Sequence, residues 1–239
     1  MSINDRVAII TGAGRGVGRA TALRFAQAGA TVVLFSRTRA HLDETVAEIK
    51  QSRGTGTVLA IAGDVSREDD VVALFQQVRD QFGRVDLLVN CAGVVAVRPF
   101  IEMDADTWDQ VININLRGTF LCCREAFRMM VEQKRGVIIN LSSLSGVKGV
   151  EKFPGLSAYN VSKSGVAGLT EILAVEGKPY NIRVCAVSPG AIETDMLKQA
   201  APHLQADMTA AELADILFFL ADESGSKFSG SNIELFTNA

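Results

Sequence analysis

In the stretch SAYNVSKSG, Tyr159 and Lys163 stand four residues apart, so on a helix they share one face. A phenol near its reference pKa of about 10 is a poor proton donor to a carbonyl oxygen at neutral pH. A neighbouring ammonium favours the phenolate and draws that pKa down, so the pair reads as an acid–base unit. The chain has only two tyrosines, and this one follows the serine-rich segment INLSSLSG at the end of a predicted strand.

A second constellation is AIITGAGRGVGRATAL, which packs Gly12, Gly14, Gly16 and Gly18 between an apolar run and the start of a helix. Missing side chains there read as room for a ligand. The backbone approaches a pyrophosphate closely, and the N–H groups and positive dipole of the next helix hold its charge. The pattern G-x-G-x-x-G fails in every register, because its third glycine would fall on Val17, Arg19 or Thr21, and no Gly-Lys-Ser/Thr follows. Gly12, Gly16 and Gly18 spell G-x-x-x-G-x-G instead. The next strand, TVVLF, runs into Ser36 and Arg37 rather than an acid. A carboxylate there would repel a 2′-phosphate. A serine followed by a guanidinium, with Arg15 as a second charge, would bind one, which favours NADP(H).

These groups need elements to carry them, and short β-branched runs alternate with helical patterns along the whole chain. Strands are predicted at 7–11, 31–35, 57–62, 87–90, 137–141, 182–187 and 233–236. Helices are predicted at 19–27, 40–49, 69–82, 107–133, 158–175 and 210–220. Such alternation implies a doubly wound α/β (Rossmann-type) fold: a parallel sheet of about seven strands, helices on both faces, and residues 1–239 forming one domain. Ser66 with Asp69 resembles a capping box, Gly29, Gly83 and Gly136 sit where helices should stop, and 193–209 is the least regular piece, a candidate flap.

Composition narrows the function classes. The 24 Lys+Arg against 27 Asp+Glu form no basic block, which argues against a nucleic-acid partner. Cys91, Cys122, Cys123 and Cys185 lack C-x-x-C spacing and the chain has two histidines, so no metal site is expected. The thiols read as free cysteines of a reducing cytoplasm, and no apolar run approaches the ~18 residues of a membrane span.

Seven motifs occur in an order that resembles the short-chain dehydrogenase/reductase family: TGAGRGVG, GDVS, NCAG, NINL, LSS, YNVSK and SPGAIET. Within it, the overall pattern is most similar to the 3-oxoacyl-acyl-carrier-protein reductases. The resemblance implies that Tyr159 is the general acid, that Lys163 lowers its pKa and holds the nicotinamide ribose, and that Ser143 hydrogen-bonds the carbonyl oxygen. It further implies that Asn115 holds a water chain feeding Lys163. For the cofactor it implies Gly12, Gly16, Val17 and Gly18 at the pyrophosphate, Asp64 and Val65 at the adenine, and Asn90, Ala92 and Gly93 beside the ribose. Pro189, Gly190, Ile192 and Thr194 would surround the nicotinamide amide.

The chain departs from the family pattern in a longer loop between Ser143 and Tyr159, containing VKGVEKFPG, and in a shorter segment from 193 to 210. The leading expectation is an NADPH-dependent carbonyl reductase acting on a small-molecule ketone or 3-oxoacyl group. Alternatives are an alcohol or steroid-type dehydrogenase running oxidatively and a non-catalytic NADP-binding sensor. Apolar residues cover more than one stripe of FLCCREAFRMM, which with the resemblance implies a homo-oligomer, a tetramer with a dimer as the alternative.

Overall fold

Apolar runs buried on both faces make good central strands, because alternate side chains enter opposite layers. In β1 (Val7–Thr11), Ala8 and Ile10 join one core while Val7 and Ile9 join the other. In β2 (Thr31–Ser36), Val32 and Leu34 are likewise divided from Val33 and Phe35. The computed structural model describes residues 3–4, 6–52 and 56–237.

With β3 (Val58–Ala62), β4 (Leu87–Asn90), β5 (Gly136–Leu141), β6 (Ile182–Pro189) and the last strand, β9 (Asn232–Leu235), these form one parallel sheet in the order β3-β2-β1-β4-β5-β6-β9. Strand order reverses between β1 and β4, paired from Ala8–Leu87 to Thr11–Asn90, so a crevice opens beyond their carboxyl ends. One layer of helices comprises α1 (Gly16–Gln27), α2 (Arg39–Gln51) and the later α8 (Ala210–Ala221). Phe25 of α1 meets Phe218 of α8 edge-to-face at 5.3 Å. The other layer is built from α3 (Glu68–Phe82), α5 (Gly118–Gln133) and α6 (Ser157–Gly177).

Three sequence expectations change. The helix expected over 107–133 is α4 (Ala105–Ile112) and α5 joined by a π-helical stretch, Asn113–Arg117. Ser66 does not cap α3. Its backbone N–H and hydroxyl both donate to Asp64 Oδ1, and the helix begins after Arg67 without a side-chain cap. The capping box in the structure is Thr209 with Glu212 at the start of α8. Gly136 ends no helix: Lys134 takes the left-handed turn at φ 55°, while Gly136 opens β5 because a Cβ there would strike Met130. Gly83 does close α3 in the left-handed conformation.

The irregular segment is ordered. Strand β7 (Ile192–Glu193) pairs with β8 (Met208–Thr209), and the intervening α7 (Asp195–Ala200) is capped by the Thr194 hydroxyl. Among the described residues no helix is long and apolar enough to cross a membrane.

Candidate active site

A cavity of about 1180 Å³ fills the crevice at the switch point. Its floor is the turn from β1 into α1, and the four glycines there have different jobs. A Cβ on Gly12 (φ +66°) would lie 2.9 Å from the Ala92 backbone, one on Gly18 would strike the Gly12 carbonyl, and one on Gly14 would press on His41 and Ser36. Only Gly16 faces open space, its nearest neighbour being Thr194 at 3.6 Å. Of the four missing side chains, only that of Gly16 leaves open space of the kind a ligand would need. The other three clear the way for this chain's own approach. Helix α1 starts at Gly16 with no side-chain cap and no acid in its first turn, leaving its first N–H groups to the cavity.

Arg15, Val17, Ser36, Arg37, Asp64, Val65, Ala92 and Gly93 line the same end of the molecule. Arg15 and Arg37 are exposed, and neither pairs with a carboxylate among the described residues, whereas the nearby Arg19 and Arg39 pair with Glu48 and Asp43. Asp64 is held by Ser66, and the Asp64 N–H donates to Asp70. Asn90 does not line the cavity. Its side chain turns into the sheet, donating to Asn140 Oδ1 at 2.9 Å and to Cys123 Sγ, so it ties β4 to β5 and α5 rather than facing a ribose.

The opposite wall carries Ser143, Tyr159 and Lys163, with Pro189, Gly190, Ile192 and Thr194 beside them. Ser143 stands at the end of β5 and Tyr159 and Lys163 on the first turns of α6. Ser142 Oγ donates to the Lys163 carbonyl at 2.9 Å and Ser164 Oγ to that of Gly146 at 2.8 Å, stitching strand end to helix. Gly146 permits the contact: a Cβ there would fall 2.6 Å from Lys163 C and Ser164 N.

The electrostatics reverse one expectation. Lys163 Nζ lies 5.7 Å from the Tyr159 ring centroid and donates to the Leu141 carbonyl at 2.7 Å. Burial dominates Tyr159 and raises its pKa, with the hydrogen bond to Ser143 pulling the other way. Burial also pushes Lys163 down to about 8. The amine thus gives up its proton at about pH 8, well below the range of a free lysine, while the phenol keeps its own.

Asn115 lies in the π-helical stretch and is 1 % exposed. Its Oδ1 accepts from Val94 N–H at 2.8 Å, while Nδ2 donates to the Val94 carbonyl and to Ser162 Oγ. The side chain is fully engaged in fixing the segment after β4 against α6, where Ser162 Oγ also donates to the Tyr159 carbonyl. It is absent from the cavity wall. Residues missed in the sequence include Thr38, His41 and Cys91, which also line the cavity. His41 was legible only as an early residue of the second predicted helix, and in the structure its Cβ faces Gly14 of the glycine turn. All four cysteines are unpaired, and burial raises their pKa values, to about 12 at Cys91. No group of three or more His, Cys, Asp or Glu among the described residues is placed to hold a metal.

A crevice at the reversal of a parallel sheet, floored by a glycine turn, defines the class: a dinucleotide-binding doubly wound α/β protein. The family model for short chain dehydrogenase matches residues 6–205, and the chain belongs to that family of oxidoreductases. It is 35% identical to the 3-oxoacyl-(acyl-carrier-protein) reductase of Thermotoga maritima, over 98% of this chain and 97% of that one. It is 36% identical to a 3beta-hydroxysteroid dehydrogenase of Mediterraneibacter gnavus, over 88% and 74%. Among solved structures, levodione reductase superposes with a TM-score of 0.90 at 34% identity, covering 97% of this chain and 96% of its own.

Proposed function

We propose that the protein is an NADPH-dependent carbonyl reductase that turns a ketone or 3-oxoacyl group into the alcohol. The observation that carries this reading is the convergence of Ser143, Tyr159 and Lys163 on one wall of the cavity whose floor is the glycine turn. The cavity suits the cofactor: α1 opens uncapped onto it, Gly16 leaves space above, and Arg15 and Arg37, which have no carboxylate partner among the described residues, line the same end and would attract a 2′-phosphate. Helix α2 adds to this, since its first turn holds no acid and begins without a side-chain cap.

When bound, the reduced nicotinamide supplies hydride to the carbonyl carbon. Tyr159 donates its proton to the carbonyl oxygen, and Ser143 hydrogen-bonds that oxygen as negative charge grows on it. Lys163, with a pKa of about 8, returns a proton to Tyr159. Burial raises the phenol pKa in the cofactor-free chain, so Tyr159 enters the reaction as the protonated phenol, and its proton leaves only as negative charge grows on the carbonyl oxygen. Asn115 acts from behind the wall, by holding Val94 and Ser162.

Likeness to reductases of acyl-carrier thioesters supports the 3-oxoacyl class. The unpaired thiols suit a reducing cytoplasm. The test follows NADPH absorbance with a panel of ketones and 3-oxoacyl thioesters, NADH in parallel. Tyr159→Phe should lower turnover by ~10²-fold or more while NADPH affinity stays near wild type. Full activity in that variant removes Tyr159 from the mechanism, and equal use of NADH removes the role of Arg15 and Arg37.

A further inference from the structure

The longer loop after Ser143 carries a lysine that the reading above leaves without a task. Beyond β5 the chain makes one 3-10 turn, Leu144–Gly146, with Ser143 as its cap: Ser143 Oγ accepts from the Ser145 N–H at 3.1 Å. That bond occupies an oxygen lone pair and leaves the hydroxyl proton to be given elsewhere. The orientation of the hydroxyl thus depends on the turn staying closed.

A single turn closes weakly by itself, since its carbonyls need donors from outside. The Gly146 carbonyl takes the Ser164 hydroxyl. Leu144, Ser145 and Val147 all accept from one group, Lys152 Nζ, at 3.4 Å and 2.7 Å for the first two, and Leu144 accepts in addition from the Val147 N–H at 3.0 Å, so Ser145 and Val147 are the carbonyls that depend on the lysine. An ammonium has three protons, and here three carbonyls face it. The loop that delivers Lys152 is anchored at its far end, where Arg98 N–H donates to the Gly155 carbonyl at 3.0 Å. Gly149 and Gly155, both at positive φ, make its bends. Val150 and Phe153 on either side line the cavity, while Lys152 points beneath it into the turn.

We propose that Lys152 is a positioning residue for the reaction: by clamping the 144–147 carbonyls it fixes the Ser143 hydroxyl toward the substrate oxygen. This rests on the assignment of Ser143 to that oxygen, so the experiment separates the two. Amide hydrogen exchange on the cofactor-free protein comes first, in wild type, Lys152→Met and Lys152→Arg. Exchange in the 143–147 segment should rise in Lys152→Met, return toward wild type in Lys152→Arg, and stay unchanged in the sheet. Unaltered exchange in Lys152→Met overturns the clamp whatever the enzyme does.

Kinetics follow with NADPH and two probes, cyclohexanone and the N-acetylcysteamine thioester of 3-oxobutanoic acid. Displacement of a reacting group by about an ångström costs on the order of 10²-fold, so kcat in Lys152→Met should fall roughly tenfold to a hundredfold, with KM and NADPH affinity little changed. Because Lys152 acts through Ser143, Ser143→Ala/Lys152→Met should be no slower than Ser143→Ala alone. Multiplied losses in the double variant, or a raised KM with kcat intact, would mean that Lys152 only staples the loop, and the proposal falls. If Ser143→Ala keeps full turnover, the assignment of Ser143 fails and takes the positioning role with it. Absence of wild-type turnover on both probes overturns both readings.

Discussion

Lys163 is a cation in a dry place. It is 5 % exposed, and its surroundings offer it the Leu141 carbonyl, the Tyr159 ring and the Cys91 thiol, with no carboxylate partner among the described residues. Burial lowers its pKa from 10.5 to about 8, so the folded state binds this proton less readily than the unfolded state. Below about pH 8 the folded chain must hold a buried ammonium, which opposes folding. Between about 8 and 10.5 the unfolded chain alone stays protonated, and stability rises with pH through that window. Lys163→Met should therefore stabilise the cofactor-free protein at pH 7, by on the order of 2 kcal/mol, and abolish turnover. Thermal unfolding at pH 7 and pH 10 checks the sign: the gain should shrink at the higher pH, and a loss at pH 7 would show that the bond to Leu141 outweighs desolvation.

At the scale of elements, the glycine turn shows how one motif hides separate physical demands. Gly16→Ala places a Cβ in open cavity at a positive φ, a strain of about 1 kcal/mol. Gly18→Ala drives a Cβ into the Gly12 carbonyl, an overpacking that typically costs about 1–3 kcal/mol. The first variant is expected to bind NADPH more weakly and to lower the unfolding temperature of the cofactor-free protein by only about 2–4 °C, and the second to lower it further without opening or filling the cavity. Fluorescence titration and calorimetry on the pair separate the two effects. The π-helical stretch between α4 and α5 is the other element-level device. The extra residue per turn places Asn115 where its amide reaches both Val94 and Ser162, joining the cofactor-side loop to the tyrosine helix.

For the whole molecule, apolar side chains stay exposed on α5, α6 and α8 among the described residues. A groove along α5 is lined by Phe120, Phe127, Val131 and Leu173 with Arg79, Arg124, Arg128, Glu132 and Glu176 at its rim, and Ile172 and Val175 of α6 are exposed as well. A second candidate face lies on α8, where Phe219 is 48 % exposed and packs edge-to-face with Phe228. One apolar face asks for a dimer, and two distinct self-complementary faces build a tetramer. We expect light scattering after size exclusion to give about four times the 25.6 kDa chain mass. A monomer at micromolar concentration would refute the oligomer, and a stable dimer would assign one face another role.

The strands and the parallel sheet were legible because each rests on local periodicity and on crossovers that physics allows in one hand. The chemistry-bearing residues Tyr159, Lys163 and Ser143 were legible as types, and the structure does set them on one wall. The sense of the pKa shift at Tyr159 was not, because spacing along a helix measures the neighbour but not the loss of water around the phenol. The same limit applies to Asn90, Gly12, Gly18 and Lys152, whose partners lie on other elements. Periodicity and residue type are properties of the chain, whereas desolvation, close approach and which carbonyls lack donors exist only once distant segments have packed.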